Sequence, residues 1–89
     1  MGHRPREQPE RLAPKLLQIR QCLGLSQSQI GQKLGFKRSF NRVSEYESGN
    51  REPNLIVLLA YARIARVSVT VLIDDKRELP QRFEQTNQS

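Results

Sequence analysis

The sequence predicts an all-α domain built from five helices, and three observations support this fold class. Apolar side chains recur at helical spacing, as in Leu12, Leu16 and Ile19. Serine or asparagine residues that can cap a helix precede several of these stretches, and glycines follow three of them. Between residues 25 and 53 two short helices are separated by a tight break.

The length and composition limit the chain to one small domain without a disulfide framework. It has 89 residues and a single cysteine, Cys22. The lone His3 lacks the spacing of a metal site, so we expect no metal and no cofactor. No apolar run approaches the ~18 residues of a membrane span, and residues 1–14 lack the apolar stretch of a secretory signal. These features predict a cytoplasmic protein that does not contact membranes.

The excess of positive charge lies in the part of the chain that is expected to fold. The formal net charge is +6, and residues 15–73 alone carry nine basic and three acidic side chains. Basic charge by itself serves solubility or any acidic partner equally well. Its position favours nucleic acid, because five basic residues lie in or beside the two short helices: Lys33, Lys37, Arg38, Arg42 and Arg51.

The chain begins with a polar arm and a first helix. Residues 1–12 hold two of the five prolines and few apolar side chains, which predicts a flexible arm that is either solvated or reaches into a DNA minor groove. The first helix is expected to begin near Ala13, because Pro14 suits the first helical position. Gly24 is expected to end it.

The second helix carries the fullest set of local signals. Ser26 and Gln29 have the spacing of a capping box, and Leu25 and Ile30 that of a hydrophobic staple. Gly35 supplies a left-handed stop. We therefore expect a short helix between Ser26 and Gly35.

The start of the third helix has two interpretations. Ser39 as N-cap predicts a helix over residues 40–48, whereas helical spacing of apolar residues from Phe36 allows an earlier start. Both interpretations direct Val43 and Tyr46 toward the core and leave a polar side of the helix in solvent. A glycine then ends the helix.

The fourth helix is expected to run from an Asn54 cap to about Arg66 and is apolar on two sides. One side holds the expected core residues Leu55, Leu58, Leu59, Ala62 and Ala65. The other side is a candidate dimer interface, or a surface covered by a tail, and holds Val57, Tyr61 and Ile64. Ser68 is expected to cap a fifth helix that ends near Asp74, and residues 76–89 are expected to form a polar tail.

From about Lys15 to Asp74 the chain resembles the phage repressor and Cro-type helix-turn-helix family, which includes the xenobiotic-response-element-like regulators. The resemblance rests on order, helix length and turn glycines across four segments: residues 20–27, 30–35, 43–53 and 67–72. It implies a lambda-repressor-like DNA-binding domain over residues 13–75, with the helix-turn-helix formed by the second and third helices.

The resemblance also implies which residues contact DNA. Base-reading positions correspond to Asn41, Arg42, Ser44 and Glu45. Phosphate-binding positions correspond to Gln27, Asn50 and Arg51. Lys37 and Arg38 are further phosphate-binding candidates because of their charge beside the third helix. The chemistry is suitable, because Asn pairs with adenine, Arg with guanine, and Glu accepts from cytosine.

Three other features bear on this resemblance. Arg20 and Glu47 correspond to a partly buried structural ion pair, the alternative being two solvated charges. Two extra residues precede Val43, so Phe40 either packs in the turn or contacts a thymine methyl. Gly31 stands where the family prefers alanine and would allow close approach of the second and third helices.

The implied function is sequence-specific DNA binding by a transcriptional regulator. We expect a repressor that binds a palindromic operator in double-stranded DNA as a homodimer, with the third helix in the major groove. The alternative is an antitoxin or other protein-interaction module, in which residues 1–12 or 76–89 wrap a toxin or another protein partner and DNA binding is autoregulatory. An enzyme is not expected, because the sequence shows no nucleophile–base pair and no paired carboxylates on one face.

Overall fold

The all-α fold class is confirmed by a computed structural model, which describes residues 9–37 and 41–83. Within these ranges the chain forms five α-helices and one 3₁₀ helix, with no strand. The elements are α1 (Leu12–Cys22), α2 (Gln27–Lys33), α3 (Asn41–Ser48), α4 (Leu55–Ala65), α5 (Val69–Ile73) and a 3₁₀ helix (Gln81–Phe83).

Helix α1 lies at the centre of the domain. It packs against α3, α5 and the 3₁₀ helix, while α2 packs on α3 and α4 packs on α5. The core contains six large side chains with no appreciable solvent exposure: Leu16, Ile19, Ile30, Val43, Tyr61 and Leu72. Every α-helix therefore contributes to one continuous apolar core.

The N-terminus of α1 is capped by a residue that is distant in sequence. The helix begins at Leu12, one residue before the expected start, and Arg11 offers no side-chain cap. The carboxylate of Asp75 instead accepts the backbone N–H groups of Glu10 and Arg11, both at 2.9 Å. These two hydrogen bonds lower the pKa of Asp75 below its usual value. The start of α1 is thus tied to the segment that follows α5.

A buried lysine makes a second tie between the same regions. The Lys15 ammonium donates to the backbone carbonyls of Val71 at 2.7 Å and Asp74 at 3.0 Å. Burial lowers the pKa of Lys15. Because carbonyls at the end of a helix lack intrahelical partners, the lysine provides a donor for the Val71 carbonyl. It is a second donor for the Asp74 carbonyl, which also accepts the Arg77 N–H at 2.9 Å.

The expected limits of α2 are confirmed. The Ser26 hydroxyl accepts the Gln29 N–H at 3.0 Å, and the Gln29 side chain accepts the Ser26 N–H at 2.8 Å. Gly35 has a φ of +98°, the left-handed geometry of a C-terminal stop. Gly31 is buried within α2.

An early start for α3 is wrong. Phe36 and Lys37 lie in non-helical backbone, and the Phe36 N–H turns back to the Gly31 carbonyl at 3.0 Å. The helix begins at Asn41. Ser39, Arg38 and Phe40 lie outside the described residues.

Helix α4 begins at the expected Asn54 cap, whose side chain accepts the Val57 N–H at 2.9 Å. Its buried face differs from the expected one. The buried residues are Val57, Leu58, Tyr61, Ala62 and Ala65, whereas Leu55 and Leu59 are exposed.

The reason for this difference is angular. Positions i, i+1, i+4, i+5 and i+8 form one stripe on a helix that turns by about 100° per residue. Val57 and Tyr61 belong to this stripe, and Ile64 lies half-buried at its edge. The candidate dimer interface of Val57, Tyr61 and Ile64 is therefore corrected, since it is not an exposed face of the single chain.

The segment after α5 is not a loose tail up to Phe83. Phe83 is 3% exposed, and its carbonyl accepts hydrogen bonds from the Gln18 amide and the Cys22 thiol. The Arg82 guanidinium donates to the carbonyls of Ala65 and Arg66 at 2.8 and 2.9 Å. The core thus extends from Leu12 to Phe83 rather than over residues 13–75. The arm at residues 1–8 and the tail at residues 84–89 lie outside the described residues.

Membrane insertion has no support in the described helices. None of those in residues 9–37 and 41–83 has the length and hydropathy that a bilayer crossing requires.

The burial of Phe83 predicts a measurable loss of stability on truncation. Phe83→Ala should reduce the free energy of unfolding by about 3 kcal/mol, since a buried phenylalanine leaves a cavity when it is shortened. Urea denaturation followed by circular dichroism measures this change. Ile73→Ala, at a half-exposed apolar position, is the control and should cost less than about 1 kcal/mol. Equal effects of the two variants would contradict the packing of this segment.

Candidate nucleic-acid interface

Helix α3 has one buried side and one polar side. Val43 and Tyr46 are buried in the core, while Asn41, Arg42 and Ser44 are exposed. Residues three positions apart lie on the same side of a helix, so the two buried residues fix the rotation of α3. Three of the four predicted base-reading side chains therefore project into solvent from a helix of defined orientation.

The predicted ion pair of Arg20 and Glu47 is present and mostly buried. The Arg20 Nε and Nη2 atoms donate to the two Glu47 carboxylate oxygens at 2.7 and 3.1 Å. The two side chains are 16% and 6% exposed. The remaining Nη1 atom donates to the Leu25 carbonyl at 3.0 Å. This bidentate geometry joins α1 to the last turn of α3.

Gln27 adds a third member to this arrangement. Its side-chain amide donates to Glu47 Oε1 at 3.1 Å. We call Arg20, Gln27 and Glu47 the Glu47 cluster. One of the two N–H bonds of the Gln27 amide is therefore used within the cluster, and the backbone N–H of Gln27 lies at the first position of α2. Contact of Gln27 with a DNA phosphate stays a prediction.

Tyr61 lies in the electrostatic field of this cluster. Its ring is fully buried, and its hydroxyl has no hydrogen-bond partner among the described residues. Burial, and next the negative charge of Glu47, raise the pKa of Tyr61. The tyrosine is therefore a neutral core residue.

Glu45 and Arg51 contact each other, which the sequence did not indicate. The Arg51 Nε atom lies 2.6 Å from Glu45 Oε1, and the side chains are 54% and 41% exposed. The left-handed Gly49, at φ +85°, reverses the chain after α3. The Asn50 and Arg51 N–H groups then bond to the Glu45 carbonyl at 2.9 and 3.2 Å. A predicted base-reading residue and a predicted phosphate-binding residue are thus paired in the free chain.

Phe36 is a site residue that the sequence interpretation missed. The Arg42 guanidinium lies 5.4 Å from the centre of the Phe36 ring, within cation–π range. The Phe36 ring lies 6.3 Å from that of Tyr46, with a tilt of 43°. The Phe36 ring, in the turn before α3, therefore packs against the guanidinium of Arg42. The available signal was an aromatic residue in a turn that also contains basic side chains.

Two other predicted phosphate-binding residues are exposed beside α3. Lys37 precedes the helix, and Asn50 follows it. Arg38 lies outside the described residues. Across the ranges that the structure covers, no group of three or more His, Cys, Asp or Glu side chains is arranged to hold a metal ion.

Comparison with known proteins gives one match. Residues 16–72, more than half of the chain, match the model of a family described as helix-turn-helix. This is the Cro/C1-type helix-turn-helix family. Neither the curated proteins nor the solved structures give a significant match. The matched range begins within α1, includes α2 to α4, the Glu47 cluster and the exposed side of α3, and ends within α5.

The Glu47 cluster predicts a marked asymmetry between single and double substitutions. Arg20→Met should destabilise the fold by about 3 kcal/mol, because it leaves the Glu47 carboxylate buried without its main partner. Arg20→Met combined with Glu47→Leu should recover at least half of this loss. Chemical denaturation measures both effects. Glu78→Gln, in the exposed Arg11–Glu78 pair, is the control and should cost less than about 1 kcal/mol. Full additivity of the two substitutions would show that the cluster is not coupled.

Proposed function

The chain belongs to the Cro/C1-type helix-turn-helix family, and on that premise we propose that it represses transcription by occupying a palindromic operator as a homodimer. Family membership makes it a DNA-binding transcriptional regulator with a lambda-repressor-like fold. Repression, operator symmetry and dimerisation are the proposed refinements. A cytoplasmic location is also part of the proposal.

The observation that carries the proposal is the free polar side of α3. Asn41 and Ser44 are exposed and make no side-chain hydrogen bond to another described residue. Arg42 is exposed and supported by the Phe36 ring. An α-helix fits the major groove, where Asn and Arg side chains can form bidentate pairs with adenine and guanine. We assign base reading to this side of α3.

Positively charged and polar groups around α3 are suited to the DNA backbone. Lys37 lies before the helix and Arg51 after it, with Asn50 between Arg51 and the helix end. Backbone contacts of this kind set the orientation of a protein on the duplex but carry little sequence information. The net charge of +6 favours such contacts.

The homodimer is supported by apolar side chains that the single chain leaves exposed. Leu55 and Ile56 are 71% and 73% exposed at the start of α4, directly after the loop that contains Arg51. We assign the second copy to this surface, which replaces the set expected from the sequence. Two copies related by a two-fold axis would read half-sites about one helical turn apart.

Selection of preferred sites from random duplex DNA at physiological salt tests the proposed function. A palindromic consensus with half-sites about 10 base pairs apart supports the symmetric homodimer. A consensus without symmetry supports DNA reading by a monomer and overturns the dimer. Absence of enrichment after repeated rounds overturns sequence-specific binding.

Substitution of Asn41 should change sequence preference rather than overall affinity. Asn41→Ala should remove discrimination at one or two base pairs, by about 1–3 kcal/mol each, because a bidentate base contact is lost. Competition binding against single-base variants of the selected site measures this effect. Asn50→Ala is the control, since loss of a backbone contact should weaken all duplexes equally. Uniform weakening by Asn41→Ala would show that this residue only positions the protein.

A further inference from the structure

We propose that the Glu45–Arg51 ion pair is a selectivity device, which keeps Arg51 from binding phosphate on unselected DNA and releases it only on the preferred site. This inference rests on the proposed function. It begins from the 2.6 Å contact between Arg51 Nε and Glu45 Oε1 on the surface that carries the DNA-binding residues. The pair places a negative charge next to a cation that would otherwise be available to any duplex.

The pair is held in place by the backbone rather than by side chains alone. The N–H groups of Asn50 and Arg51 and the Ser48 hydroxyl all donate to the Glu45 carbonyl, at 2.9, 3.2 and 3.1 Å. These hydrogen bonds bring the Arg51 backbone back over the last turn of α3. The backbone is therefore already fixed when the side chains meet, and only side-chain freedom remains to be lost.

The pair is also weak enough for Arg51 to exchange Glu45 for a DNA phosphate. Both side chains are about half exposed, and exposed ion pairs contribute little free energy because water screens them. The pair between Glu47, on the same helix, and Arg20, on α1, is mostly buried and is screened less by water. Its carboxylate also accepts a hydrogen bond from the Gln27 amide. Of the two glutamate pairs of α3, the Glu45 pair is therefore the one that DNA can open.

Opening has different consequences on different sequences. When Arg51 moves to a phosphate, the Glu45 carboxylate loses its cation and faces the groove. A cytosine N4 amino group can replace the lost donor, whereas thymine O4 and guanine O6 are acceptors and leave the carboxylate unpaired. Release of Arg51 is therefore favourable only where the base next to Glu45 offers a hydrogen. Glu45 therefore weakens binding to other sequences, because its carboxylate is left unpaired on them.

Salt titrations of Glu45→Gln test this mechanism. Two 30-base-pair duplexes are used, one with the selected site and one of random sequence. On random DNA, Glu45→Gln should tighten binding by about two- to fivefold, the range that an exposed pair contributes. It should also steepen the slope of log affinity against log salt by about one, because one more phosphate is contacted. On the selected duplex the slope should stay the same, since Arg51 already binds phosphate there.

Two further variants separate this mechanism from a general charge effect. Glu78→Gln removes one negative charge from another exposed ion pair, Arg11–Glu78, and should leave the random-DNA slope unchanged. In an Arg51→Ala background, Glu45→Gln should have no larger effect on random DNA than Glu78→Gln. A Glu45→Gln effect that matches Glu78→Gln in the wild-type background, or that persists without Arg51, overturns the inference.

The outcomes also distinguish this inference from the proposed function. Wild-type protein that binds neither duplex in a salt-dependent manner overturns the proposed function. Wild-type protein that prefers the selected duplex but has the same salt slope on both duplexes retains the function and overturns the role of Glu45–Arg51.

Discussion

The Glu47 carboxylate is the group on which the geometry of this domain most depends. It accepts two hydrogen bonds from Arg20 on α1 and one from Gln27 on α2, while it is itself part of α3. Arg20 also binds the Leu25 carbonyl, in the loop between α1 and α2. A buried charge is costly unless its partners are complete, and these partners come from every element around α3. The orientation of α3 is therefore coupled to a single polar centre.

A second set of polar contacts joins the ends of α1, α4 and α5 to residues that are distant in sequence. Asp75 caps the start of α1, Lys15 satisfies carbonyls at the end of α5, and Arg82 satisfies carbonyls at the end of α4. Each contact joins a helix end to a residue that is distant in sequence. In a domain of this size the apolar core is only just sufficient. These contacts therefore join helix ends through polar groups, in addition to the apolar core.

Features decided by neighbouring residues could be predicted from the sequence. The capping box of Ser26 and Gln29, the stop at Gly35 and the Asn54 cap depend on atoms within a few positions of one another. The Arg20–Glu47 pair could be predicted only through the family resemblance, because the two residues are 27 positions apart. Periodicity alone divided the apolar residues of α4 into two faces, although Val57 and Tyr61 belong to one broad stripe.

Features decided by tertiary packing could not be predicted. Phe83 stands alone in a polar stretch, and nothing in its neighbourhood shows that the core has space for its ring. The support of Arg42 by Phe36 and the pairing of Glu45 with Arg51 depend on how two turns are folded back onto α3. The sequence indicated which polar and charged residues lie on and around α3. It did not show that two of them are paired with each other.

The most direct test of the central claim, that the Glu47 cluster holds the polar side of α3 ready to enter a duplex, is an NMR titration of the labelled chain with the selected DNA. The account predicts that the largest amide and side-chain shift changes fall on Asn41, Arg42 and Ser44, and that the Arg20 Nε signal keeps its hydrogen-bonded shift throughout. Changes centred on α5 and the 3₁₀ helix with α3 unaffected, or loss of the Arg20 signal on binding, would contradict it.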